Sequence, residues 1–162
     1  MGDPETRQRA LVDSAIALNN TTLLEEAISM TPQRDLVRFY LGVLYKAISK
    51  NSIPILSCLI DHGVSVKHLR PGSLAHFGTH PTYTTPTKAT LQFLLAHGWD
   101  MDWRTSCPPF MWFMTHNIEM VTWCLDHGAS VTSLHLKTHI LILKLDLQNA
   151  SVYRLFYRQL DR

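Results

Sequence analysis

One short phrase, written three times, constrains this chain more than any other feature. It reads Leu59-Ile60-Asp61-His62-Gly63-Val64-Ser65-Val66, then Leu94-Leu95-Ala96-His97-Gly98-Trp99-Asp100-Met101, then Cys124-Leu125-Asp126-His127-Gly128-Ala129-Ser130-Val131. Each copy is an apolar pair, a two-residue step ending in histidine, a glycine and an alternating tail. An apolar helical stripe that stops at a glycine predicts a left-handed C-terminal cap, because glycine takes positive φ there without a Cβ clash. The alternation after the glycine predicts a short extended finger rather than another helical turn. The glycines stand 35 and 30 residues apart (63 to 98, 98 to 128). That spacing predicts stacked helix-turn-helix units of roughly 33 residues.

A chain of 162 residues holds about five such units, and 46% apolar against 17% charged residues is enough to build a core. The units fall at about 8–34, 35–70, 71–104, 105–135 and 136–162 of a single domain spanning 1–162. Residues 1–7 read as a frayed lead. In the first unit Leu11, Ala15, Ile16 and Leu18 make one stripe and Leu23, Leu24, Ala27 and Ile28 a second, with Asn19-Asn20 as the turn between them. A shift of 32 residues lays Ala15-Ile16 on Ala47-Ile48 and Leu23-Leu24 on Ile55-Leu56, so the repeat reaches the first unit. In the second unit Asn51-Ser52 is the turn, and Pro54 stands where a first helical turn tolerates proline. The third unit has a regular second helix over about Lys88 to His97. Its first helix should occupy about 78–85, but that stretch carries Gly78, Pro81 and four threonines and runs into Pro86, so this helix is expected to be interrupted. The fourth unit starts at Cys107-Pro108-Pro109 and turns at His116-Asn117. The fifth ends in Arg154, Arg158, Gln159, Asp161 and Arg162, the wet face expected of a terminal cap, and a self-contained monomer is the expectation.

The stretch Cys107 to Val131 resembles the ankyrin-repeat family. Pro108 falls on the family's helix-opening proline, Val121 and Cys124-Leu125 on its apolar second helix, and Gly128-Ala129-Ser130-Val131 on its finger. No complete Thr-Pro-Leu-His start occurs, the alanine pair of the first helix survives only as Ala15 and Ala47, and Trp112 and Phe113 take the small positions of the fourth unit. The resemblance implies an all-α, ankyrin-type solenoid of about five repeats with short extended fingers. It also implies protein binding through a concave face formed by first helices and finger tips.

Composition narrows the function. A net charge of +2 with no Lys/Arg cluster lacks the footprint of a nucleic-acid binder. No run of 18 apolar residues and no signal-like N-terminus is present, so no membrane association is expected. Cys58, Cys107 and Cys124 are an odd set without paired spacing, which suits reduced thiols in the cytoplasm or nucleus. His62, His97 and His127 each precede a capping glycine and are expected to bond the last helix carbonyls. Neither Cys-x-x-Cys nor His-Glu-x-x-His spacing occurs, nor any phosphate loop or nucleophile motif, so no metal or cofactor is expected.

Two stretches hold candidate site residues. The finger Trp99, Asp100, Met101, Asp102, Trp103 and Arg104 carries the residue types of interaction hot spots. An interrupted first helix in the third unit should leave a notch near Phe77, beside first helices carrying Tyr45 and Lys46 on one side and Trp112 and Met114 on the other. The leading expectation is an intracellular module that recognises a protein partner through Tyr45, Lys46, Phe77, Trp112, Met114 and the finger. The alternative is a small cofactor-independent enzyme. It would use His76, His80 and Tyr83 in that notch for acid–base cyclisation or isomerisation of an apolar small molecule.

Overall fold

The computed structural model describes residues 3–75, 85–102, 109–114 and 117–130, with the backbone alone for Ala75 and Trp112. In chain order the helices are α1 (Pro4–Leu18), α2 (Thr21–Ser29), α3 (Leu36–Ser49), α4 (Ile53–Asp61), α5 (Pro71–Ala75), α6 (Lys88–Ala96), α7 (Phe110–Phe113) and α8 (Ile118–Asp126), with a 3-10 turn at Gln33–Asp35. The fold is all-α: no strand occurs among the described residues, and no described helix is long and apolar enough to cross a membrane. Two compact units partition the chain, one of Met1–Leu69 and His76–Trp99, the other of Arg70–Ala75 and Asp100–Arg162.

The first unit is built from two helical hairpins and α6. Helix α1 begins at Pro4 rather than beyond residue 7, because Pro4 suits a first turn and the Asp3 carboxylate accepts from the Glu5 amide at 3.4 Å. It ends at Asn19, whose φ of 51° turns the chain so that the Asn20 amide reaches the Ala15 carbonyl at 2.8 Å. Asn20 then caps α2 by accepting from the Thr22 and Leu23 amides at 3.0 and 3.3 Å. The α3–α4 hairpin repeats the device: Asn51 takes φ 56°, and the Ser52 amide donates to the Ala47 carbonyl at 3.0 Å. Like packs on like, α1 against α3 and α2 against α4, while each hairpin closes on itself. The fully buried residues sit on those seams: Leu24 and Ala27 of α2, Leu44, Ala47 and Ile48 of α3, and Ile55, Leu56 and Leu59 of α4. Each buried leucine or isoleucine contributes roughly 1.5–3 kcal/mol of apolar burial.

Polar side chains link the hairpins at a fixed step. Lys46 pairs with Asp13, Ser52 donates its hydroxyl to Asn19 Oδ1 at 2.6 Å, and Cys58 points its thiol at Glu25 Oε1 at 3.4 Å, all 33 residues apart. Asn51 Oδ1 extends the series to α6 by accepting from the Thr87 amide at 2.7 Å and the Thr90 hydroxyl at 2.8 Å. Ser52 and Thr90 are buried, so these bonds replace the water their hydroxyls give up.

All three phrase glycines take the left-handed region, with φ of 83°, 88° and 92° at Gly63, Gly98 and Gly128. In each the next amide bonds five residues back, Val64 to Leu59, Trp99 to Leu94 and Ala129 to Cys124, at 2.9–3.0 Å, which closes a Schellman cap. After Gly63 the tail runs without regular secondary structure through Val66. Val66 and Leu69 are both buried, and a turn that bonds the Leu69 amide to the Val66 carbonyl at 3.1 Å brings both inward.

In the second unit α5 packs on α7 and α7 on α8. A Cβ on Gly72 would lie 3.2 Å from the Phe113 ring, so glycine lets α5 and α7 approach. Phe110 and Met111 are fully buried, and the Asn117 side chain caps α8, its Oδ1 accepting from the Met120 amide at 3.1 Å. Of the expected first helix of the third unit, only Thr85 lies within the described residues, and it is not helical. The fifth unit, 136–162, lies outside them.

Candidate functional site

The finger residues divide between folding and surface. Trp99 is buried, only 3% exposed, and its indole N–H donates to the Leu69 carbonyl at 3.0 Å. An indole held this way packs one phrase against the previous one and does not offer its ring to a partner. Asp100 is exposed and accepts from the Asp102 amide at 2.8 Å, a local turn bond. Half-buried Asp102 accepts from the Ser130 amide, 28 residues on. Met101 and Met114 are buried. Among the finger residues described, Asp100 is the exposed one. Trp103 and Arg104 lie outside the described residues, as do Phe77 and the three candidate acid–base residues His76, His80 and Tyr83. The Trp112 backbone belongs to α7.

The first helices of the two hairpins, α1 and α3, enclose an open groove of about 580 Å³. Sequence explains its shape. Val12 and Val43 are buried on facing turns and give it apolar walls, while Gly42 adds no side chain to the α3 side. Lys46 reaches from α3 to Asp13 on α1 and forms part of the lining. The rim is balanced, with carboxylates from Glu5, Asp13 and Asp35 and cations from Arg9, Arg38 and Lys46. Such a groove presents apolar surface and both signs of charge, and has no net field to attract a polyanion. On the same helix Val37 and Leu41, one turn apart, are 73% and 47% exposed, and Tyr45 follows one turn later, half-buried. Of the predicted contact residues, Lys46 is in the groove and Tyr45 is on the helix that forms it.

The three phrase histidines behave unequally. His97 and His127 each place Nδ1 2.8 Å from the carbonyl four residues back, as the capping role predicts, and each lays its ring against that residue's ring, tilted on Phe93 at 4.2 Å and stacked on Trp123 at 4.1 Å between centroids. Cysteine occupies the corresponding place before His62. His62 turns Nε2 to Glu25 Oε1 at 2.8 Å instead, beside the Cys58 thiol. The His62 hydrogen bond holds the Glu25 carboxyl below its ordinary value, and burial, reinforced by Glu25, pushes the Cys58 thiol up to about 11. These three groups are the ones among the described residues whose donor atoms converge as metal ligands do, all within 4.8 Å of one another. Sequence reading passed over the cluster. Its one local signal is the Cys58-x-x-x-His62 spacing, which sets thiol and imidazole on one helix face. The carboxylate comes from the neighbouring hairpin.

Comparison of the chain with protein-family models, with curated proteins and with solved structures finds no match.

Proposed function

We propose that the chain is an ankyrin-type binding module that takes a protein segment on its first-helix face, along the groove between α1 and α3. The observation that carries this reading is the groove itself, open, apolar at its walls and charged at its rim, with Val37 and Leu41 exposed on the same helix. Isolated exposed leucines are ordinary, whereas an exposed apolar pair one turn apart, on the helix that forms one wall of the groove, suits partner contact. The 33-residue step of the interhairpin bonds and the three glycine caps support an ankyrin-type array as its scaffold. The segment that fits is one with apolar side chains and charges of both signs, such as an amphipathic helix.

A photoreactive amino acid at Leu41, with a second at exposed Thr22 of α2 as control, tests the face. A protein crosslinked from Leu41 and not from Thr22 is then purified, and its affinity measured against Leu41→Asp and Lys46→Glu. The expected result is at least about a tenfold loss for each, in line with residues that each contribute more than 1 kcal/mol at an interface. A partner that binds both variants as tightly as the parent overturns the assignment of this face.

A further inference from the structure

The geometry points to a zinc-type divalent metal site formed by Glu25, Cys58 and His62, on the second-helix side of the two hairpins. Helix α4 and its C-cap residue supply two of the donors at i and i+4, Cys58 from the last turn and His62 from the cap, so the thiol and the imidazole stand on one side of the helix end. Helix α2 supplies the third, and the packing of α2 against α4 brings it there. The three donor atoms lie within 4.8 Å of one another, with 3.4 Å between Cys58 Sγ and Glu25 Oε1 and 2.8 Å between His62 Nε2 and the same oxygen. In a tetrahedral zinc site with bonds of about 2.0–2.3 Å, neighbouring donors stand roughly 3.3–3.6 Å apart. The sulfur–oxygen pair already has that spacing. The nitrogen–oxygen pair must open by about half an ångström to reach it. The side chains of Glu25 and His62 are 52% and 31% exposed, which gives them room for that movement and leaves a fourth position facing solvent.

A comparison inside the chain separates this arrangement from ordinary helix capping. The same phrase places His97 and His127 on their own helix carbonyls, with their rings against Phe93 and Trp123. Only where the residue four back is Cys58 does the histidine present Nε2 to a carboxylate of the next hairpin. Thiolate and imidazole favour zinc-class ions over magnesium or calcium, which take oxygen donors. Coordination replaces the Cys58 S–H bond with a sulfur–metal bond and releases that proton to solvent, while the proton that His62 Nε2 donates to Glu25 leaves Nε2, for Nδ1 in a neutral ring or for solvent in a charged one, so that Nε2 and the carboxylate each bond the ion. The bound ion would tie α2 to α4 and so join the first hairpin to the second.

Cobalt(II) added to the reduced, chelator-stripped full chain tests the site. The expected spectrum is a tetrahedral cobalt visible band with a thiolate charge-transfer band in the near ultraviolet, saturating at one equivalent and displaced by zinc. Cys58→Ser should remove the charge-transfer band, which also excludes Cys107 and Cys124 as its source. Loss of a second-shell partner costs about 10–100-fold in affinity, so Glu25→Gln and His62→Ala should each weaken zinc binding by at least about 100-fold. Glu25 is exposed, so Glu25→Gln reports on the ion without unfolding the chain, and circular dichroism checks the fold of all three variants. A charge-transfer band that survives in Cys58→Ser, or zinc affinity unchanged in Glu25→Gln, overturns the proposal, as does the absence of any thiolate–cobalt band in the parent chain.

Discussion

Positive φ is held by Asn19, Asn51, Gly63, Gly98 and Gly128 among the described residues, and the choice between asparagine and glycine follows from whether the side chain is used. Asn19 and Asn51 end first helices and offer Oδ1 to the next hairpin or to α6. The glycines end second helices. At Gly63 a Cβ would meet nothing within 4 Å, so the requirement there is the backbone angle and not space. Gly63→Ala should therefore cost about 1–2 kcal/mol, the penalty of a left-handed alanine. Gly42 is the opposite case, a glycine inside α3 with nothing near its Cβ position and ordinary helical backbone. Gly42→Ala should add about 0.5–1 kcal/mol of stability. Urea midpoints of the two variants, moving in opposite directions, check both. A thiol gives a further test. Burial, and then the charge of Asp102, push Cys124 up to about 12 from 9.0. A raised acid favours the fold in its neutral form, so this contribution is complete below pH 9 and is lost as pH climbs toward 12. Iodoacetamide at pH 8 should label Cys124 only after urea is added, as mass spectrometry of native and unfolded chains would show. The glycine caps were legible in the sequence because φ is a local demand. The fate of Trp99 was not, since its partner is the Leu69 carbonyl, 30 residues away.

Elements were legible where an apolar stripe ran for two turns or more between recognisable stops. Helices α2, α3, α4, α6 and α8 meet that condition, with Asn20, Thr87 and Asn117 as side-chain caps at three of their starts. Helices α5 and α7 are five and four residues long, too short for a 3.6-residue period to show. The groove was not legible as such: Lys46 was marked for a notch at the third unit, and the wall it faces here, α1, comes from a hairpin one repeat earlier. The Glu25–Cys58–His62 cluster escaped for the same reason, as its carboxylate is 33 residues from its thiol. Asn51 shows how one turn residue couples elements, since it closes the α3–α4 hairpin and accepts two bonds from the start of α6. Asn51→Gly keeps the left-handed turn and removes those bonds, leaving the buried Thr90 hydroxyl without this acceptor, at a cost of about 1–3 kcal/mol. Asn51→Ala removes the bonds and strains the turn, which adds about 1–2 kcal/mol. Thermal unfolding of the two variants separates the contributions. Equal losses would mean that the turn conformation carries no strain in alanine.

At the scale of the whole chain, the recurring 33-residue step has an energetic consequence. Stacked helical hairpins exchange contacts with their neighbours alone, so their stability is a sum of hairpin terms and nearest-neighbour terms. A single globular core distributes each contact over many partners, and its substitutions couple broadly. The Asn19–Ser52 bond joins the first hairpin to the second, and the Asn51–Thr90 bond joins the second to α6. Under nearest-neighbour stacking, the cycle Asn19→Ala with Ser52→Ala should show a coupling of about 1 kcal/mol, the net worth of one buried hydrogen bond. Asn19→Ala with Thr90→Ala pairs residues two steps apart, and its coupling should fall within about 0.5 kcal/mol of zero, the scatter of independent sites. Denaturant unfolding of the three single and two double variants against the parent measures both cycles. Comparable coupling in the two cycles would place the first hairpin and α6 in one cooperative core and remove the ankyrin-type array as the scaffold for the groove. A coupling confined to Asn19 and Ser52 would leave the α1–α3 groove on a framework in which each hairpin supports only the next.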